Sequence, residues 1–145
     1  MIKEDGPCGE MGSASIARYV KQAEANPHIS AILFIMDGPG GMVSGTATLA
    51  DAIYNCSKPT LSLIDDGMAC SAHQWVAAAA DETWITHSTC VMGSIGVYTS
   101  LADIKGFYEE QGLKIHEIYA DQSSLKNKDF REAMNGNYSL LKEKH

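Results

Sequence analysis

Ala31-Ile-Leu-Phe-Ile-Met36 runs directly into Asp37-Gly-Pro-Gly-Gly41, and these two segments decide the fold class. Six unbroken apolar residues are short for a helix and suit a strand buried on both faces of a parallel sheet. The glycine-rich turn that follows is where such a strand hands over to a helix. Upstream, residues 13–25 predict a helix, with Ser13 or Ser15 as cap and Ile16, Tyr19, Val20 and Ala23 as its apolar stripe. Pro27 ends it. Downstream, a helix is expected from about Val43 to Asn55, and Lys58-Pro59 is the next break.

The same alternation continues to the C-terminal third. Thr60–Ile64 reads as a strand, Asp65-Asp-Gly67 as a turn, and Ser71 to Ala80 as an alanine-rich helix. Thr83–Thr86 reads as a strand, and Gly93–Ser100 as a glycine-rich turn running into another. A helix at Leu101–Gln111 with Gly112 as its C-cap, a strand at Lys114–Tyr119 and a helical turn at Asp129–Met134 complete the pattern. Strands alternating with helices predict an α/β fold with a mainly parallel β-sheet built from βαβ units. The 145 residues fit one domain, 1–145.

Composition narrows the partners. Net charge is −7 and the 11 basic residues are scattered, so the counterion release that drives nucleic-acid binding has no surface to act from. Four cysteines, Cys8, Cys56, Cys70 and Cys90, form no C-x-x-C pair and read as free thiols. No apolar run reaches the ~20 residues of a membrane span. Met1-Ile-Lys-Glu-Asp-Gly6 has no apolar signal core. A soluble, cytoplasmic protein without metal or cofactor is expected.

Two strand-to-helix turns can carry chemistry. In Asp37-Gly38-Pro39-Gly40-Gly41, glycine lets the backbone approach a ligand, and amide N–H groups there can hold a developing anion. The same glycines also suit a tight turn with no ligand. In Met68-Ala69-Cys70-Ser71-Ala72-His73, Ser71 opens a helix, with the Ala72 N–H beside it. Serine is equally a favoured N-cap, and taken alone Ser71 reads as one. His73 invites a Ser–His pair, but residues this close on one helix point apart. His87 reads as a packed or surface histidine, and Asp65 and Asp66 as turn residues. The third element, Gly93-Ser-Ile-Gly-Val97, reads as a sharp turn entering a strand.

Taken together and in this order, the three elements resemble the S49 peptidases, the family of bacterial signal peptide peptidase A and phage head-maturation proteases. The family's Asp-Ser/Thr-Pro-Gly-Gly corresponds to Asp37–Gly41, its nucleophile to Ser71, its Ala-Asp-Glu to Ala80-Asp81-Glu82, and its Gly-Ser-Ile-Gly-Val to Gly93–Val97. Three departures stand out: Gly38 replaces Ser or Thr, Ser71-Ala72-His73-Gln74 replaces Ser-Gly-Gly-Tyr, and the Gly-x-Tyr that often precedes the family's lysine is absent before Lys126. The chain also starts and ends closer to these motifs than the family does.

The resemblance implies a ClpP/crotonase-type fold and a serine endopeptidase acting through a Ser–Lys dyad. Ser71 is the implied nucleophile, Lys126 the implied base with Lys128 as runner-up, and the N–H groups of Gly40 or Gly41 and of Ala72 the implied oxyanion hole. A polypeptide substrate and a homo-oligomeric ring follow, in which the lysine can come from a neighbouring subunit. Two other functions use the same frame: an inactive scaffold of capsid assembly, and an acyl-CoA enzyme that would not need Ser71.

Overall fold

The computed structural model describes residues 11–144, which fall into two compact units meeting at Val97 and Tyr98. The first unit carries α1 (Ser13–Ala25), β1 (Ile32–Ile35), α2 (Thr46–Tyr54), β2 (Thr60–Ile64), β3 (Met68–Cys70), α3 (Ala72–Ala77), β4 (Glu82–Ile85) and β5 (Val91–Gly93). Its strands form two parallel sheets, one ordered β1-β2-β4 and the other pairing β3 with β5. The α/β class, the parallel pairing and the helix-connected β1-α2-β2 unit expected from the sequence are all present.

The core lies on one side of the three-stranded sheet. Ala17 and Val20 of α1, Leu49 and Ile53 of α2, and Val76 and Ala77 of α3 pack with Ile64, and Ile32 and Phe34 pack against that cluster. Each fully buried aliphatic side chain contributes roughly 1.5–3 kcal/mol. The opposite face carries Leu33, Ile35, Leu61, Leu63 and Trp84, aligned by the register Leu33–Leu61 and Ile35–Leu63–Trp84. There Ile35 is 72% exposed. β1 is therefore covered on one face rather than two, because the helices of this unit all pack on the side of Ile32 and Phe34.

The α1 boundaries match the expectation, but its details differ. The N-cap is Gly12, without a side-chain cap bond, and Ser13 is buried instead of capping. The buried positions are Ser13, Ala17 and Val20, while Tyr19 points to solvent. At the other edge of the core, Thr60 and Asp81 lock the starts of β2 and β4 together. Asp81 accepts from the Thr60 N–H (2.7 Å) and hydroxyl (2.8 Å), and its own N–H donates to Thr60 Oγ1 (2.9 Å). The Asp81 carboxylate thereby gains a structural task within the Ala80-Asp81-Glu82 motif.

The second unit contains α4 (Lys105–Glu110), a 3-10 turn at Asp121–Ser123, α5 (Lys128–Met134) and α6 (Ser139–Lys142). Gly112, at φ 78°, closes α4 as expected: its N–H bonds the Glu109 carbonyl and the Leu113 N–H bonds that of Tyr108, a Schellman ending. Asp129 is buried and paired with Lys144. The strands expected at the end of Gly93–Ser100 and at Lys114–Tyr119 are absent. Neither segment makes strand pairings in this structure, and a strand without a paired neighbour leaves its peptide groups unsatisfied. Cys56, Cys70 and Cys90 are free thiols; Cys8 and the segment Met1–Gly6 lie outside the described residues. Among the described residues no helix is long and apolar enough to cross a membrane.

Hydrogen bonding from Thr60 holds the Asp81 carboxyl below its ordinary value of 3.8. A carboxylate with a depressed folded-state pKa adds stability above its unfolded value and loses it as pH falls through the folded value. Asp81→Asn is expected to lower Tm at pH 7 and to flatten the loss of stability below about pH 4. Thermal unfolding followed by circular dichroism between pH 2.5 and 7 reads both effects.

Candidate active site

β3 is the element around which the site is built, and the sequence pattern had placed only a turn there. On one side it bridges Gly38: the Gly38 N–H donates to the Met68 carbonyl (2.7 Å) and the Cys70 N–H to the Gly38 carbonyl (3.1 Å). On the other it pairs with β5 in the register Met68–Val91, Ala69–Met92 and Cys70–Gly93. The Ser71 N–H then donates to the Gly93 carbonyl at 2.8 Å. The Asp37–Gly41 turn, the Ser71 turn and the start of Gly93–Val97 are thus adjacent strand-like segments, joined by main-chain bonds.

Ser71 stands at the junction of β3 and α3 with φ 54° and ψ −119°. For a residue with a Cβ, this conformation costs on the order of 1–3 kcal/mol. An N-cap serine has extended backbone and a side-chain bond into the first turn. Ser71 has neither, so capping does not account for it. A serine on a strained strand-to-helix turn is the arrangement that presents a hydroxyl at the edge of a sheet.

The glycine turn presses against it. Gly40 has φ 116°, and a Cβ built there would lie 2.7 Å from Ser71 Cβ and 2.9 Å from the Cys70 carbonyl oxygen. Glycine is required both by conformation and by space. The Gly40 N–H donates to His73 Nδ1 at 3.1 Å. Of the two glycines expected to offer an oxyanion donor, Gly40 is therefore already engaged. Gly41 instead lines an open cavity of about 350 Å³ with Ser71, Ala72, Val43, Trp75 and the Ile95-Gly96-Val97 segment. That lining is largely apolar.

Lys126 and Lys128 lie in the second unit. Lys126 follows the 3-10 turn, with its N–H on the Ser123 carbonyl (3.0 Å), and Lys128 opens α5. Both side chains are exposed. The first unit thus assembles Ser71, Gly40, Gly41 and Ala72, and the candidate bases belong to the other unit. His87 is exposed, and Asp65 accepts a hydrogen bond from Thr86 at the turn after β2 (2.8 Å).

The sequence profile of peptidase family S49 matches residues 53–137, more than half the chain. This chain belongs to peptidase family S49. Among S49 relatives it is 39% identical over 114 residues to capsid assembly protease C of Escherichia phage lambda, covering 77% of this chain and 26% of that protein. It is 32% identical to head-tail preconnector protein GP5 of Enterobacteria phage P21, covering 84% and 24% respectively. Protease 4 of Haemophilus influenzae is 25% identical over 70% of this chain and 17% of its own length. The chain therefore spans about a quarter or less of the length of these relatives. A solved enoyl-CoA hydratase/isomerase family member aligns with TM-score 0.44 and 17% identity, over 50% of this chain and 36% of that one.

Beyond the expected residues, the site takes in His73 against the glycine turn and Val43, Trp75 and the Ile95–Val97 segment along the cavity. The signal for His73 was present: Gly38 and His73, which both belong to departures from the S49 motifs, touch one another. A Cβ on Gly38 would lie 2.5 Å from His73 Cε1. A large side chain at 73 and none at 38 fill one space.

Gly93→Ala and Gly40→Ala separate conformation from contact. A Cβ on Gly93 (φ 141°) meets nothing within 4 Å, so backbone strain alone is expected, about 1–2 kcal/mol. Gly40→Ala adds overlap with Ser71 and is expected to cost about 3 kcal/mol or more. Urea unfolding of the two variants should rank them in that order.

Proposed function

We propose that the chain carries the nucleophile half of a serine endopeptidase site, with Ser71 as the attacking residue. The strained backbone of Ser71, held by the Gly93 carbonyl and pressed by Gly40, is the observation that carries this reading. Such strain persists only where the surroundings enforce it, and it concentrates at functional positions.

In the proposed reaction Ser71 Oγ attacks the peptide carbonyl carbon while its proton passes to a neutral lysine Nζ. The N–H groups of Gly41 and Ala72 hold the oxyanion. The carbon–nitrogen bond then breaks, the lysine returns its proton to the leaving amine, and an acyl-enzyme remains. Water attacks the ester, giving its proton to lysine, and Ser71 is regenerated. Lys126 is the proposed base, with Lys128 next. A lysine serves as base only when desolvation makes the neutral amine available. Both candidates are exposed in the single chain, which favours completion of the dyad in a homo-oligomer, where a neighbouring copy buries the amine.

The apolar cavity beside Ser71 suits an apolar side chain of an extended polypeptide, with the main chain laid along the glycine turn as an added strand. The phage relatives support a substrate met during capsid assembly. The exposure of both lysines also favours a second reading, an assembly protein whose site is inactive.

A serine-reactive fluorophosphonate separates the two. Labelling of the purified protein that rises between pH 6 and 10, disappears in Ser71→Ala and falls at least ~100-fold in Lys126→Ala is the expected outcome. Loss in Lys128→Ala instead moves the base to that residue. No labelling of the assembled oligomer at any pH replaces the peptidase reading with the scaffold one.

A further inference from the structure

His73 is a titratable side chain in contact with the glycine turn, and the proposed Ser–Lys chemistry leaves it without a task. It sits half-buried in the first full turn of α3. Its Nδ1 accepts the Gly40 N–H at 3.1 Å. Its ring occupies the space a Gly38 side chain would need, with Cε1 2.5 Å and Nε2 2.6 Å from the Cβ position there. One imidazole therefore braces the turn at two points, by a hydrogen bond at Gly40 and by packing at Gly38. Gly40 in turn abuts the Ser71 side chain, and Gly41 lines the cavity beside it.

We propose that His73 is a positioning residue of this site: through Nδ1 and its ring it holds the Gly38–Gly41 turn in the conformation that brings Gly41 beside Ser71. This rests on the serine peptidase reading. His73 is not among the residues lining the cavity beside Ser71; it acts through the backbone of the turn. The bond requires an unprotonated Nδ1, so the bound ring is the neutral tautomer carrying its proton on Nε2.

Protonation of the imidazole places a second donor opposite the Gly40 N–H and breaks the brace. Burial lowers the His73 pKa from its ordinary 6.5. Among the described residues the charged group acting on the ring is Asp37, whose carboxylate favours the protonated form and accepts the Met68 N–H at 3.2 Å. A group with a depressed folded-state pKa supports the fold above its unfolded value. That support is lost as pH falls through the folded value. Reactivity of Ser71 is therefore expected to carry an acid-side ionisation below pH 6.5, separate from the alkaline-side rise due to lysine.

The test compares wild type, His73→Leu and His73→Asn by fluorophosphonate labelling rate from pH 5 to 10, with the Gly40 amide followed by 1H–15N NMR. Leucine keeps bulk without an acceptor, and asparagine offers a non-titrating acceptor near the position of Nδ1. The expected result is a labelling rate at least ~10-fold lower in His73→Leu, in the direction of a disturbed oxyanion site. His73→Asn should recover most of that rate and lose the acid-side ionisation. In wild type the Gly40 amide resonance should shift with the same ionisation. Equal rates and pH profiles in wild type and His73→Leu, with both folded, overturn the role of His73 while leaving the peptidase reading intact. An unlabelled wild type at every pH overturns the peptidase reading and this inference with it. A Gly40 amide indifferent to pH and to His73→Leu overturns the brace on its own.

Discussion

The main-chain pairing of a three-residue strand, Met68–Cys70, is the constraint on which the site depends. It is bonded to Gly38 on one side and to Val91–Gly93 on the other, and it ends on Ser71, whose N–H is taken by the Gly93 carbonyl. Three segments separated by some 30 and 20 residues in the chain are thereby fixed by backbone hydrogen bonds. Side-chain identity enters mainly through what it permits. Gly38 and Gly40 permit contact with His73 and Ser71, and a methyl group at either position would collide.

Such a turn has to distribute a small number of donors. Gly38 gives its N–H to the Met68 carbonyl and Gly40 gives its own to His73. A donor already satisfied within the protein cannot also stabilise a developing charge without breaking its bond. The hydrogen bonding thus divides labour along the turn: Gly38 and Gly40 hold the turn in place, and Gly41 meets the cavity. The division is possible because α3 starts immediately after Ser71 and brings His73 back over the turn.

The three-stranded sheet uses its two faces unequally. Helices α1, α2 and α3 cover the side of Ile32, Phe34 and Ile64, while Leu33, Ile35 and Trp84 remain open to solvent. Asp81 ties the strand starts on the covered side through Thr60, a reciprocal pair that satisfies a polar group at the rim of an apolar core. The second unit relies on short helices and local pairs, such as Asp129 with Lys144 and Arg131 stacked 4.7 Å over the Tyr119 ring.

By itself the sequence determined the α/β alternation, the parallel class, the limits of α1 and β2, the Schellman glycine at 112 and membership of the S49 family. These are local periodicities or contiguous motifs, readable because each is encoded by residues next to one another. It did not determine that β1 would be covered on one face only, since an apolar run reads the same with one neighbour layer as with two. Nor did it reveal β3, three residues long and made into a strand by partners 30 residues upstream and 20 downstream. The expected strand at Lys114–Tyr119 is the converse case, a segment that reads as a strand and pairs with no other strand in the structure. Only the tertiary structure decided that Ser71 is strained rather than capping, and that Gly40 is already bonded. It also showed that His73, discounted as a base for Ser71, accepts the Gly40 N–H and packs against Gly38. Each of these depends on which backbone donor meets which acceptor across the fold, a relation that no window of sequence contains.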